Sequence, residues 1–467
     1  MKIKIGIITF SDGRDAINNR NMEVNNYFIN LLSKQLEEKG YIETIVAPTI
    51  VHNPQEAREQ ALLIKKANCH GVIFNYAIWC YPNFTAIAQN FIDTPIMMFS
   101  NLNPEYPGLV AMLASAGSLR QLNKKHLRLF GDINDKKILS QIESFARAAY
   151  AVTSLKGQVY GIIGGRSMGM YTAVPNLAKW QREFGIDIEH IDQLEIVRGA
   201  ETVNSNKVEK ALTWLESYVG NISYDNNKLT KGKLRTQIRH YYAIKEIIEK
   251  NHLDFLGVKC HEEMSSNYCT ECLAAAFIND PYDFDGVKEP TVYACEADSD
   301  GALTMQVLKL ITGSPTLFMD LRHFDRENNL YVFCNCGSQS TYFAAASDDP
   351  KKNLAKVSLE PAEYYFKAGG AHVQYMAKEG SMTLARFMRN GDDYWLAIIK
   401  ARAVEVDREL MKETTYAWPH VYIDINTTSQ ELFKEYSSNH CHGVYGDWTA
   451  ELVNFCYFKN IPYRIYD

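Results

Sequence analysis

The sequence has 467 residues, of which 46% are hydrophobic and 22% are charged, and its formal net charge is −6 at pH 7. This composition is typical of soluble globular proteins and argues against disordered and fibrous classes. The negative net charge gives no general attraction to nucleic acid or to an anionic membrane surface, so we expect neither as a partner.

The chain begins with a predicted strand and turn, MKIKIGIITFSDG, whose apolar stretch is too short and too β-branched for a signal sequence. No segment has about 18 uncharged apolar residues in a row, so we predict no membrane span. We expect a cytoplasmic protein whose ten cysteines stay reduced.

Strand-like and helix-like patterns alternate through the first domain, which we predict to span residues 1–154. Such alternation is typical of a parallel, doubly wound sheet. The predicted strands are Ile3–Phe10, Thr44–Ala47 and Gly71–Asn75, and the predicted helices cover residues 21–39 and 54–67.

A second α/β domain is predicted for residues 155–311, with strands at Gln158–Ile163 and Phe255–Val258. Beyond it helix-like periodicity becomes rare, and short predicted strands indicate a β-rich domain over residues 312–467. The predicted fold class is therefore α/β, with two Rossmann-like doubly wound domains followed by a β-rich C-terminal domain.

The clearest chemical signal is a strand–helix–strand unit with a carboxylate at the end of each strand. Glu296 follows the strand Thr291–Cys295, and Asp320 ends the strand Thr316–Asp320. If the two strands are parallel neighbours, these carboxylates lie roughly 5 Å apart and can share one ion. Acids at strand ends also serve as loop residues or helix caps, and that alternative stays open here.

An imidazole-rich turn, Asn439-His440-Cys441-His442, lies near the C-terminus. One neutral imidazole and two carboxylates form a ligand set that suits Mn²⁺ and similar divalent ions. The alternative is that these histidines are ordinary loop or core residues.

The pair Cys269-x-x-Cys272 has no second CxxC at zinc-finger spacing, so we expect no structural zinc from that motif.

Several segments together resemble the L-fucose isomerase family, within the superfamily of fucose and arabinose isomerases. The strongest similarity runs from residue 255 to residue 325, and the resemblance covers nearly the whole chain. The matching segments are Asp12-Gly13-Arg14, Trp79-Cys80-Tyr81, Gly164-Gly165, Glu296-Ala297-Asp298, Phe318-Met319-Asp320-Leu321-Arg322, Asn335 with Gly337-Ser338, and His442-Gly443-Val444.

The resemblance implies a metal-dependent aldose–ketose isomerase that acts through an enediol, with Glu296 and Asp320 as the catalytic carboxylates. It implies a Mn²⁺ site, with Co²⁺ or Mg²⁺ as alternatives, formed by Glu296, Asp320 and His442, and His440 is the reserve ligand. It also implies a homo-hexamer in which the first domain reaches a neighbouring subunit's site. The expected substrate-binding residues are Arg14, Trp79, Arg166, Lys259, Ser338 and Asn439.

Two cations depart from the family pattern, because Lys259 replaces a glutamine and Arg166 replaces an apolar residue. Lys259 either pairs with Glu262 or Glu263, or binds an anionic group of the substrate, such as a sulfonate or phosphate. The expected substrate is therefore a neutral aldose similar to L-fucose or D-arabinose, or an anionic hexose such as sulfoquinovose. A catalytically silent sugar sensor is the alternative from another functional class.

Overall fold

A computed structural model describes residues 2–467, which form two compact units. The first unit contains the residues up to Leu155 together with Ala450–Asn460, and the second contains Lys156–Thr449 together with Ile461–Asp467. The predicted boundary between residues 311 and 312 falls inside the second unit, so the division into three domains stays a prediction.

The first unit is built on a parallel sheet with helices on both faces. Its strands follow the order β2-β1-β3-β4-β5, which is a doubly wound arrangement. The elements are β1 (Ile3–Phe10), α1 (Asp15–Arg20), α2 (Met22–Glu37), β2 (Ile42–Val46), α3 (Pro54–Lys66), β3 (Gly71–Tyr76), α4 (Pro82–Ala88), β4 (Ile96–Asn101), α5 (Gly108–Gln121), β5 (Leu127–Gly131) and α6 (Lys136–Ser154).

Alternate residues of β1 explain why this sheet needs helices on both faces. Ile7 packs in one hydrophobic cluster with Leu32 of α2 and Phe145 of α6, whereas Ile8 packs in another with Ala61 of α3. Successive side chains of a strand point to opposite faces, and a strand that is apolar on both sides must be covered twice.

The second unit holds all the predicted metal ligands. Its first elements are β6 (Val159–Ile163), α7 (Leu177–Glu183), β7 (Asp187–Ile191), α8 (Leu194–Thr202), α9 (Ser205–Tyr218), β8 (Asn221–Ile222), α10 (Lys231–Lys250), β9 (Phe255–Val258), α11 (Glu263–Asn267), α12 (Cys272–Asn279), β10 (Tyr282–Asp283), β11 (Gly286–Val287), β12 (Val292–Cys295), α13 (Ser299–Thr312) and β13 (Leu317–Asp325).

The remaining elements are mostly strands. They are β14 (Leu330–Cys334), α14 (Pro350–Leu354), β15 (Ser358–Pro361), β16 (Ala371–Gln374), β17 (Gly380–Asn390), β18 (Asp393–Val404), β19 (His420–Asp424), α15 (Ser429–Phe433), β20 (His440–Tyr445), α16 (Thr449–Lys459) and β21 (Tyr463–Tyr466). The mixed α/β architecture with a β-rich C-terminal part confirms the predicted fold class.

A parallel sheet of order β12-β9-β6-β7 forms one layer of the second unit. Cys295 pairs in register with Val258, and Val258 pairs with Ile163 on the other side. The residues that follow these three, including Glu296 and Lys259, therefore lie together at the carboxyl edge of the sheet, where α/β folds bind their ligands.

A seven-stranded sheet forms the β-rich part, in the order β17-β20-β13-β14-β19-β18-β21. Because β17 also pairs with β18, six of these strands form a closed ring. The sheet contains β13, which pairs antiparallel with β14 and β20. The expectation that Asp320 lies on a parallel neighbour of the Glu296 strand is therefore wrong, because α13 leads from one sheet into another.

The C-terminal helix α16 belongs to the first unit, although β20 and β21 on either side of it belong to the second. Its Phe458 ring lies 6.0 Å from the ring of Phe145 on α6, and Asn454 donates a hydrogen bond to Ser144.

No helix within residues 2–467 has both the length and the apolar character required to cross a membrane.

Candidate active site

The two predicted catalytic carboxylates come from different sheets. Glu296 directly follows β12, is 7% exposed, and has a φ of +59°, and Ala297 has a φ of +51°. Two consecutive non-glycine residues in the left-handed region are uncommon and often mark a functional turn. Asp320 lies within β13, which continues to Asp325.

His440 contacts both of these carboxylates. In the antiparallel pairing of β13 with β20, His440 is directly opposite Asp320. Its Nε2 lies 3.3 Å from Glu296 Oε2 and 3.4 Å from Asp320 Oδ1. The register of the β-rich sheet thus places His440 opposite Asp320, and the end of β12 brings Glu296 to the same imidazole.

His442 does not reach the carboxylates, which corrects the predicted choice of histidine. It projects from the same face of β20 as His440, but it is paired with Phe318 and Ala385 instead of Asp320. Because two residues of a strand span about 7 Å, His442 lies about that far along β20 from His440. The Nε2 of His442 lies 3.1 Å from Arg386 Nη1. The reserve ligand His440 therefore replaces His442 in the geometry of the site.

Asp298 orients His440 and was missed as a site residue by the sequence analysis. Its Oδ2 lies 2.7 Å from His440 Nδ1, and its carboxylate forms a fully buried ion pair with Arg386. A carboxylate on one ring nitrogen fixes the tautomer that presents the other nitrogen to a metal. The available sequence signal was its place before α13, where its side chain caps the helix by accepting the Gly301 N–H.

Gly301 is required by the close approach of these groups. A Cβ at this position would lie 2.6 Å from Asp298 Oδ2 and 2.9 Å from both Arg386 Nη1 and His442 Cε1. Any side chain at residue 301 would therefore push apart the residues that hold His440 in place.

The negative charges of the site favour a positive charge at His440. Burial disfavours a charged His440, but the carboxylates of Asp320, Asp298 and Glu296 outweigh this effect and raise the pKa of His440 to about 10. Burial raises the pKa of Asp320 to about 6, and the charge of Glu296 adds to the rise. Burial also opposes the charge of Asp298, but Arg386 and His440 hold its pKa well below the usual range.

The donor atoms fit a divalent metal ion. Glu296 Oε2 and His440 Nε2 are buried and form no hydrogen bond with any residue that the structure describes. Together with Asp320 Oδ1 they form a set of carboxylate oxygens and one imidazole nitrogen, which suits Mn²⁺ and related ions. The three residues that could hold such an ion are therefore Glu296, Asp320 and His440.

Lys259 lies at the same sheet edge but already has an anionic partner. Its Nζ lies 2.6 Å from Glu263 Oε1, one turn further along the chain, and its side chain is 17% exposed. Of the two alternatives for this lysine, the structure contains the internal ion pair.

Three other predicted substrate residues have different surroundings. Asn439 donates a hydrogen bond to Asp320 Oδ1 at 3.2 Å, so it contacts the site directly. Ser338 is buried, and its backbone N–H and hydroxyl both donate to Asn335 Oδ1. Arg166 is exposed in the loop after β6, with its guanidinium 5.7 Å from the ring centre of Tyr171.

Arg14 and Trp79 lie in the first unit. The guanidinium of Arg14 forms a bidentate contact with Asp12, and Trp79 packs at the border of a hydrophobic cluster of that unit. Their contact with a substrate remains a prediction.

Comparisons with known proteins identify the family. Residues 2–157 match the first N-terminal domain of L-fucose isomerase, and residues 333–466 match its C-terminal domain. The L-fucose isomerase of Haemophilus influenzae (strain PittEE) is 24% identical, with 99% of this chain and 92% of that protein covered. The corresponding values for the L-fucose isomerase of Vibrio vulnificus (strain YJ016) are 22%, 100% and 93%. This chain belongs to the fucose isomerase-like family.

Membership of the fucose isomerase-like family supports an aldose–ketose isomerase that acts on a sugar. Among solved structures, a glucose-galactose binding protein from Geobacillus stearothermophilus aligns with 67% of this chain and 92% of its own, at 13% identity and a TM-score of 0.16. That likeness is too weak to support a sensor function for this fucose isomerase-like protein.

The two histidines of β20 provide a matched pair of variants. We expect His440→Gln to weaken Mn²⁺ binding by more than about 100-fold, because lost outer ligand contacts alone cost about 10–100-fold. His442→Gln should change the affinity by less than about tenfold, since His442 contacts Arg386 and no carboxylate of the pair. Titration of free Mn²⁺ by electron paramagnetic resonance measures both affinities. The reverse order would restore His442 as the ligand.

Proposed function

We propose that this protein isomerises an aldose to a ketose, with Glu296 and Asp320 as proton carriers and with Glu296, Asp320 and His440 as ligands of a divalent ion. Mn²⁺ is the proposed ion, and Co²⁺ or Mg²⁺ are alternatives. The observation that carries the proposal is the convergence of these three side chains in a member of the fucose isomerase-like family.

The reaction requires a proton to leave C2 of the sugar and a proton to reach C1, and a further proton to move between the two oxygens. When bound, a divalent ion supplies Lewis-acid polarisation of the carbonyl. Two carboxylates near the same nitrogen of His440 can each hold or release a proton beside the reacting carbons. Asp298 and Arg386 keep His440 in the orientation that leaves its Nε2 facing the carboxylates.

The proposed substrate is a neutral aldose similar to L-fucose or D-arabinose. Glu263 neutralises Lys259, so this cation does not call for an anionic group on the substrate. The exposed Arg166, which forms no ion pair with any residue in the described range 2–467, keeps an anionic hexose such as sulfoquinovose as the second candidate.

A substrate screen tests the function. The full-length protein is stripped of metal, supplied with Mn²⁺, and incubated with L-fucose, D-arabinose, sulfoquinovose and phosphorylated aldoses. Nuclear magnetic resonance then measures the ketose that forms. Turnover of at least one aldose that depends on the added ion supports the proposal. Sugar binding in calorimetry without any ketose would instead indicate a sensor.

The variant Lys259→Gln separates the two substrate classes. A charged hydrogen bond to a substrate contributes roughly 1.5–3 kcal/mol, or about ten- to a hundredfold in discrimination. Because Lys259 is paired with Glu263, we expect the variant to change kcat/KM for sulfoquinovose and for L-fucose by similar factors. A loss confined to sulfoquinovose, of about tenfold or more, would show that Lys259 binds its sulfonate.

The proposed assembly is a homo-hexamer in which Arg14 and Trp79 complete the site of a neighbouring subunit. We expect sedimentation velocity to show a closed oligomer that carries all of the activity. A fully active monomer would contradict the shared site.

The cytoplasm is the proposed location. The ten free and buried cysteines support it, because such thiols are typical of reducing compartments.

A further inference from the structure

A second group of ligating side chains lies in the second unit, away from the carboxylate pair in the sequence. It consists of His240 on α10, and Cys269 and Glu271 on the segment between α11 and α12, and we call it the His-Cys-Glu cluster. One ligand atom of each residue lies within 4.8 Å of the other two. The three residues are at most 2% exposed, so solvent does not hydrate their charged and polar atoms.

Both partners of His240 converge on the same ring nitrogen. Nδ1 lies 2.7 Å from Glu271 Oε1 and 3.5 Å from Cys269 Sγ. A single imidazole nitrogen offers either one N–H or one lone pair, so it cannot form a good hydrogen bond with a carboxylate and a thiol together. A metal ion among the three atoms can bind the nitrogen, the sulfur and the carboxylate oxygen at the same time.

The carboxylate of Glu271 gives an independent indication. Its Oε2 is buried and has no hydrogen-bond partner among residues 2–467. The one ion pair of Glu271 in this range is with His240, which is charged only when protonated. A buried carboxylate without a full set of partners is costly, and a bound metal ion removes that cost.

The His-Cys-Glu cluster contains the first cysteine of the CxxC motif, Cys269, but not the second, Cys272. Cys272 turns away from it and donates to the backbone carbonyl of Cys336 at 2.9 Å. The thiol next to the cluster is instead Cys260, whose Sγ accepts the backbone N–H of Glu271 at 3.4 Å. The cluster therefore depends on tertiary contacts between α10 and the segment before α12.

We propose that His240 Nδ1, Cys269 Sγ and the Glu271 carboxylate bind a Zn²⁺ ion that fastens α10 to the segment 269–271. Zinc is the ion that takes sulfur, nitrogen and carboxylate ligands together in tetrahedral sites, whereas Mn²⁺ favours oxygen-rich sites. Three protein ligands leave one position for a water molecule or for Cys260. Because His240 and Glu271 are 31 residues apart, the ion closes a long loop of the second unit.

Cobalt substitution tests this site without using enzyme activity. Co²⁺ is added to the metal-free full-length protein, and the absorption spectrum is recorded. Thiolate bound to Co²⁺ gives an intense near-ultraviolet charge-transfer band, which ligands limited to carboxylate and imidazole do not give. We expect the band in the parent protein and in Glu296→Gln, and its loss in Cys269→Ser.

A second thiol pair requires its own control. The Sγ atoms of Cys295 and Cys336 lie 3.6 Å apart, and they form another candidate group with Glu296. The proposal expects the band to persist in Cys336→Ser. A band that survives in Cys269→Ser but disappears in Cys336→Ser would overturn it, as would the absence of any band in the parent protein.

Zinc binding and thermal stability give the second readout. We expect Glu271→Gln, which keeps the size of the side chain, to weaken Zn²⁺ binding by more than about 100-fold, since a direct ligand is lost. Added Zn²⁺ should raise the Tm of Glu296→Gln, in which the proposed carboxylate site is impaired, but not that of the double variant Glu296→Gln with Glu271→Gln. An equal rise in both variants would show that the ion binds elsewhere. These measurements do not depend on turnover, so they stand whether or not the proposed isomerase activity is found.

Discussion

Replacing Glu296 by glutamine or Asp320 by asparagine is expected to lower kcat by at least about 10³-fold, equivalent to about 4 kcal/mol of barrier. Each substitution removes a proton carrier and a proposed metal ligand together, so both the proton transfer and the binding of the ion are impaired. The measurement is kcat for the best aldose of the screen at saturating Mn²⁺, with circular dichroism to verify the fold.

The exposed Glu327 provides a control for these two variants, because it lies in the turn after β13 and carries the same charge. Glu327→Gln should leave kcat unchanged. If Glu296→Gln or Asp320→Asn retained activity within about tenfold of the parent, the barrier would have changed by only about 1.4 kcal/mol. That result would show that the carboxylate concerned is not part of the chemistry.

Replacing Arg386 by methionine should lower the free energy of unfolding by about 3–5 kcal/mol, the usual cost of removing one partner of a buried ion pair. Arg386 and Asp298 are both fully buried, so the variant leaves the Asp298 carboxylate without its main counter-ion. Urea denaturation, followed by circular dichroism, measures the loss.

The pair of Arg235 with Glu209 is a suitable comparison, because both side chains are exposed to solvent. Arg235→Met should cost less than about 1 kcal/mol, as is usual for surface ion pairs. Equal losses in the two arginine variants would mean that the ion pair under the site is no more important than one on the surface. Combining Arg386→Met with Asp298→Asn should recover part of the stability, because the uncompensated charge is then gone.

Local sequence patterns predicted most of the regular elements near the site. The strand Ile3–Phe10 and the strand Phe255–Val258 have the predicted bounds, because a β-branched apolar run between turns has few alternatives. The predicted helix between the strands of Glu296 and Asp320 is found as α13, and Asp298 caps its start. Helix caps and apolar periodicity are local properties, so the sequence reveals them directly.

The side chains that bear the charges were harder to place, because their positions depend on strand pairing. His440 and His442 share one face of β20, and a period of two cannot distinguish them. Only the register with β13 places His440 opposite Asp320 and leaves His442 beside Arg386. The sequence likewise contains no sign that β13 leaves the parallel sheet, since α13 fits either topology.

The amino-acid sequence by itself determined the α/β class, the strand ends that carry Glu296 and Asp320, and the resemblance to sugar isomerases. The tertiary structure alone decided which imidazole meets the carboxylates, the pairing of Lys259 with Glu263, and the role of Asp298 beneath His440. The physical reason is the range of the interactions. Periodicity and caps act within a few residues, whereas sheet register, buried ion pairs and the His-Cys-Glu cluster join segments that are far apart in the chain.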